Sequence, residues 1–170
     1  MKICSALLLT MFCFGGYAQT PEEILQSKGI VLPEIPSPVA NYVNAVRTGN
    51  LLFLSGKGPL QQNGKYITGK LGKDLNEQQG YDAARLTALF QVAVLKKELG
   101  SLSKVKRIVK VFGMVNSDSS FGNQPKVING FSDLLVEVFG EKGKHARSAV
   151  GMAALPFNMA VEVEMIVEVE

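Results

Sequence analysis

The chain has 170 residues, 46% apolar and 19% charged, with a formal charge of +3. That length suits one well-buried core and is short for two, so a single domain is expected. So small a positive excess argues against both a nucleic-acid binder and a membrane-surface binder.

Residues 1–18 read as a secretory signal. Lys2 supplies the positive start, "ICSALLLTMFCF" the apolar stretch, and "GGYA" a small-residue cleavage site near Ala18. The apolar run of about 12 residues is too short to span a bilayer, and no later stretch reaches the roughly 20 that spanning needs. "TMF" ahead of Cys13 lacks the small residues of a lipid-attachment site. The expectation is an exported protein, periplasmic or secreted, with no membrane attachment after cleavage. Cys4 and Cys13 both lie in the signal, so the mature chain would contain neither disulfides nor reactive thiols, which suits an oxidising compartment.

Residues 19–40 read as an N-terminal helix and a proline-rich extension. Thr20 is a candidate N-cap, Pro21 fits the first helical position, Glu22 and Glu23 complement the dipole, and Gly29 ends the helix. "VLPEIPSPVA" then runs extended. Residues 42–48 and 51–55 are predicted strands of a hairpin turning at "GN", and "KYITGK" a short edge strand. Asp74 with Glu77 is read as a capping box for a long helix whose apolar face carries Ala83, Leu86, Phe90, Ala93 and Val94, stopping at Gly100. "VKRIVKVFGMV" is a strand in which Ile108 and Phe112 alternate against Val109 and Val111.

A second helix follows with the stripe Val127, Phe131, Leu134, Leu135 and Val138, closed by Gly140. Residues 147–153 and the period-two run "AVEVEMIVEVE" are predicted to form a closing hairpin, with Val161, Val163, Met165, Val167 and Val169 on its buried face. The elements define an α+β domain over residues 41–170, with two helices on one face of a mixed sheet.

Arg147 admits two readings: a structural charge at a sheet edge, or an anion clamp whose planar fork grips a carboxylate amid the small residues Ala146, Ser148, Ala149 and Gly151. His145, the sole histidine, is read as a surface residue or a base. With one His and no mature Cys, the usual zinc sites cannot be built. The glutamates of the last strand form either a solvated face or part of a pocket. "SGKGP" lacks P-loop spacing, and "GYDAARL" lacks the later glycines of a dinucleotide fingerprint.

"ARSAVGMAALPFNMAVEVEMIVEV", together with "NYVNAVRTGNLLFLSGKGP" and "VINGFSDLLVEVFG", resembles the reactive-intermediate deaminase superfamily (Rid, YjgF or endoribonuclease L-PSP) over residues 41–170. The resemblance implies a chorismate-mutase-like six-stranded sheet backed by two helices, closing into a homotrimer with clefts between subunits. It implies that Arg147 grips a substrate carboxylate and that Glu162 positions water. It further implies that Tyr42, Ser55, Gly56, Asn129 and Ala149 line the cleft. Ala149 stands where the family's deaminases usually carry cysteine, Lys57 where glutamine is usual, and His145 where proline is commoner.

The activity implied is cofactor-free hydrolysis of small 2-imino acids or enamines to 2-oxo acids and ammonia. The alternative is a non-catalytic periplasmic binder of small carboxylates using the same cleft. A ribonuclease finds no basic, aromatic-interleaved surface to support it. With a hairpin turning near Pro156, Arg147 and Glu162 would be offset by several residues at about 3.3 Å each. A site using both therefore requires a cleft between strands or subunits.

Overall fold

In the computed structural model, which describes residues 19–35 and 40–170, the chain enters through α1 (Pro21–Ser27). Thr20 Oγ1 accepts from the Glu23 N–H at 3.2 Å, and Glu23 accepts from the Thr20 N–H at 2.8 Å, closing the capping box. The signal expected over 1–18 and the linker residues 36–39 lie outside the described residues. The remainder of the extension is not free. Leu25 lies in the core, and Glu22 Oε1 accepts from Lys96 Nζ at 2.6 Å and the Leu102 N–H at 2.8 Å.

β1 (Ala45–Thr48) and β2 (Leu51–Lys57) pair antiparallel across Gly49, whose φ of 57° makes the turn. β1 begins at Ala45 rather than at residue 42, which leaves Tyr42 outside the sheet. "KYITGK" makes only isolated bridges, Leu60 with Tyr66 and Thr68 with Met159. Gly64, Gly69 and Gly72 at φ 76°, 121° and 85° repeatedly turn that segment out of strand geometry. The sheet accordingly has five strands, not the expected six, in the order β1-β2-β5-β3-β4.

α2 (Glu77–Leu99) is capped by Asn76 with Gln79 as its reciprocal partner, not by Asp74 with Glu77. Asp74 Oδ2 instead accepts from the Lys70 N–H at 2.9 Å, closing the preceding turn. Gly100 ends α2 with φ 74°, as the sequence predicts.

β3 (Val105–Asn116) leads through α3 (Gln124–Phe139) to β4 (Ala146–Met152), and β5 (Val161–Val169) closes the chain. β4 and β5 do not form the expected hairpin. β3 lies between them, parallel to β4 and antiparallel to β5. A parallel pair needs a crossover, and α3 is that crossover. Register shifts in β3 also move Ile108 into the core beside Val111, which strict alternation would have placed on opposite faces.

The apolar stripe of α3 and the Val161–Val169 face of β5 are buried as predicted. α2 and α3 cover one side of the sheet, and α1 adds a third helix against α3. The other side is uncovered, with Val46 58% and Phe53 41% exposed. Among the described residues no helix is long and apolar enough to cross a membrane.

The two long helices meet backbone to backbone. A Cβ on Gly130 would stand 2.0 Å from the Tyr81 carbonyl oxygen, with no flexible side chain there to yield. Tyr81 donates to Asp133 at 2.9 Å and Arg85 to Glu137 at 2.7 Å across the same seam. Gly130→Ala should therefore wedge the helices apart and destabilise the fold by about 1–3 kcal/mol, read as a lower urea midpoint with unchanged helical circular dichroism before the transition.

Candidate functional site

The residues singled out in the sequence fall into two groups on opposite sides of the sheet. The first surrounds a cavity of about 510 Å³ where β2 ends and the chain enters β5. Tyr42, Ser55, Gly56 and Glu162 all line it, joined by Lys57 and an aromatic wall. β2 is irregular there, its register against β5 shifting between Leu54 and Lys57. Such an irregularity re-aims side chains locally.

Gly56 is needed at this point for space. A Cβ would fall 2.3 Å from Glu162 Oε1, so the carboxylate lies directly against the glycine. Ser55 is already engaged: its hydroxyl donates to the Val43 carbonyl at 2.7 Å and its N–H to the Asn44 carbonyl at 3.0 Å.

Glu162 has no cationic partner among the described residues. Burial pushes its pKa above the usual 4.5, and the neighbouring charge of Glu164 adds to the rise. Lys57 Nζ donates to Asn44 Oδ1 at 2.5 Å, and burial lowers its pKa. The wall is formed by Tyr66 stacked on Phe157, with ring centroids 5.9 Å apart and planes 11° from parallel. Phe157 and Asn158 hold left-handed backbones at φ 54° and 55°, a conformation that costs energy for a bulky residue.

The second group is at the edge strand β4, on the helix side. Arg147 pairs in register with the core residue Val111, and its guanidinium reaches α3. Nη1 donates to Asn129 Oδ1 at 3.0 Å and to Ser132 Oγ at 2.9 Å, and Nη2 donates to the Pro125 carbonyl at 3.3 Å. All three acceptors are neutral, and no carboxylate pairs with Arg147 among the described residues. None of these bonds uses the Nε–H. The Nε–H and one of the two Nη2 hydrogens therefore remain for a carboxylate. Ala149, two positions along β4, packs partly buried against the core opposite Gly113.

The two groups do not converge within one chain. Glu162 is opposite Met114, which is opposite Val150, so Arg147 lies one strand beyond β3 and three residues further along. With strands about 4.8 Å apart and about 3.3 Å per residue, the backbones are on the order of 14 Å apart, and the side chains leave opposite faces. The offset expected from a β4–β5 hairpin is thus replaced by a larger separation across β3.

Ser132 and the Tyr66–Phe157 wall escaped the sequence reading. Ser132 was accessible in principle, because it follows Asn129 by one helical turn on the same face. The wall was not, since it joins a glycine-rich loop to a strained turn far along the chain. Among the described residues no three of His, Cys, Asp and Glu cluster in a way that could hold a metal.

A family model described as "YjgF/chorismate mutase-like, putative endoribonuclease" matches residues 22–169. The chain belongs to that family. It is 48% identical over 145 residues to Protein TCP17 of Trypanosoma cruzi, covering 85% of this chain and 91% of that one. It is 31% identical over 142 residues to a 2-iminobutanoate/2-iminopropanoate deaminase of Dermatophagoides farinae, covering 83% and 95%. A crystal structure from Shewanella oneidensis, described as that of a putative endoribonuclease, superposes with a TM-score of 0.85 at 38% identity, covering 89% and 100%.

A raised carboxyl pKa gives Glu162 a definite pH signature. Its contribution to stability is full below the unfolded value near 4.5 and is lost as pH rises through the higher folded value. Glu162→Gln should accordingly melt above the parent at pH 8, and the gap should close below pH ~4.5. Differential scanning calorimetry across that range is the check; a gap that does not change with pH contradicts the buried carboxylate.

Proposed function

We propose that the mature, exported protein hydrolyses small 2-imino acids or their enamine tautomers in a cleft shared between copies of a homotrimer. What carries the reading is the guanidinium of Arg147, held by three neutral acceptors with its Nε–H outside those bonds. A fixed fork with an uncompensated charge suits a small carboxylate. The likeness to the Dermatophagoides farinae deaminase supports the same chemistry.

Since the Arg147 group and the Glu162 group lie on opposite faces, a second copy must bring one to the other. Head-to-tail contacts that close into a ring do this, and the uncovered face with Val46 and Phe53 offers apolar surface for the contact. Arg147, with Asn129 and Ala149 beside it, would hold the carboxylate of the substrate. Tyr42, Ser55 and Gly56 of the neighbouring copy would line the other wall, and its Glu162 would guide water onto the imine carbon. Water adds across C=N, the proton passes through the carboxylate, and the C–N bond breaks to leave a 2-oxo acid and ammonia. No organic cofactor or metal enters this scheme.

Arg147→Lys should weaken binding of 2-oxobutanoate by ~2–5 kcal/mol in calorimetry, because a point charge cannot replace the fork. Glu162→Gln should bind the acid but hydrolyse freshly generated 2-iminopropanoate ~10²-fold more slowly. Each inactive variant supplies the half that the other lacks, so every mixed trimer would contain one intact cleft. Co-refolding the two variants in equal amounts should restore about a quarter of the parental rate. A mixture no faster than its components contradicts the shared cleft. Equal rates for parent, Glu162→Gln and buffer, with binding retained, would leave a carboxylate-binding protein without turnover.

A further inference from the structure

The sole histidine sits two residues before Arg147 and takes no part in the scheme above. Its surroundings fix its protonation. His145 Nδ1 lies 2.6 Å from the Gly143 carbonyl oxygen, which can only accept, so Nδ1 carries the hydrogen. In the neutral ring Nε2 is then an acceptor, and it lies 3.1 Å from Ser132 Oγ. That hydroxyl already accepts from Arg147 Nη1 at 2.9 Å. The directions join into one chain: Arg147 donates to Ser132, Ser132 to His145, and His145 to Gly143.

We infer that His145 is a positioning residue for Arg147, acting through Ser132 to keep the guanidinium aimed at the ligand. The inference rests on the reading of Arg147 as a carboxylate clamp. A serine hydroxyl rotates freely unless its proton has a fixed acceptor, and a rotating hydroxyl offers Arg147 a donor as readily as a lone pair. His145 removes that ambiguity. It is half-buried between β4 and α3, where neither a surface role nor general-base chemistry explains two oriented ring bonds.

The nearby charges favour the neutral imidazole. Burial lowers its pKa, the Gly143 carbonyl opposes that, and the Arg147 charge adds to the lowering. The charged side chains of its sequence neighbours and of the residue after Ser132 are engaged elsewhere. Lys144 pairs with Glu141 at 2.7 Å, Lys142 donates to the Val105 carbonyl at 3.2 Å, and Asp133 accepts from Tyr81 at 2.9 Å.

A chain with one histidine gives a single imidazole signal, so nuclear magnetic resonance on untagged protein reads this site without assignment. The expected result is the Nδ1–H tautomer with a pKa below 6.5, rising in Ser132→Ala, where Nε2 loses its donor. Calorimetry with 2-oxobutanoate at pH 8 supplies the second arm. His145→Leu should weaken binding about fivefold, the scale of one hydrogen bond. His145→Gln, whose amide oxygen can accept from Ser132, should recover most of that loss.

An Nε2–H tautomer, or a pKa indifferent to Ser132→Ala, overturns the chain of bonds. His145→Leu binding like the parent overturns the positioning role. A parent that binds no 2-oxobutanoate while its imidazole shows the expected tautomer and shift overturns instead the clamp reading of Arg147, and with it the purpose assigned to His145.

Discussion

The parallel pairing of β4 with β3 obliges the chain to leave the sheet after Asn116, cross its face and return alongside, and α3 is the segment that makes the crossing. Much of the remaining arrangement follows from that path. α3 must lie over the sheet beside α2, and the two can share that face because Gly130 lets the backbones touch at Tyr81. With α3 so placed, Asn129, Ser132 and the Pro125 carbonyl come within reach of Arg147 as β4 begins. The interior position of β3 also separates β4 from β5, and so separates the guanidinium from the Glu162 carboxylate.

Around the cavity the structure departs from regularity in ways that each cost stability. β2 loses register, Glu162 is half-buried without a cationic partner among the described residues, and Phe157 is held in a left-handed backbone. These departures occur together around the cavity; the register shifts of β3 at the other end of the sheet instead carry Ile108 into the core. A register shift, a buried carboxylate and a strained backbone gathered at one cavity fit the proposed ligand site there.

Much of the fold is legible in the sequence because burial repeats with a clear period. The stripe of α3 and the alternation of β5 identify their inward faces without ambiguity, and Thr20 and Gly100 mark helix ends by their own chemistry. Pairing partners are less legible. "ARSAVGM" and "VEVEMIVEV" are neighbours in sequence and look like a hairpin, yet nothing local records that β3 slips between them. The cap of α2 falls two positions after the expected one for a similar reason, since Asp74–Glu77 and Asn76–Gln79 are equivalent spacings and only the turn closed by Lys70 decides between them. For the site, the residue types were evident and their division between two faces was not. That division depends on strand order, which no short stretch of sequence encodes.

The loop from Gly58 to Asn76 carries glycines in left-handed turns and contributes no strand to the sheet, yet through Tyr66 it supplies half of the stacked wall of the cavity. Arg147 and Glu162, by contrast, are fixed on β4 and β5. Parts that determine what fits and parts that hold charge thus belong to mechanically separate pieces of one chain. Surface loops accept insertions and substitutions far more readily than interior strands. Under the proposed function, this fold could therefore change the size and character of the side chain it admits, across a lineage, by rebuilding one glycine-rich segment and leaving the sheet, the helix crossing and the arginine edge untouched.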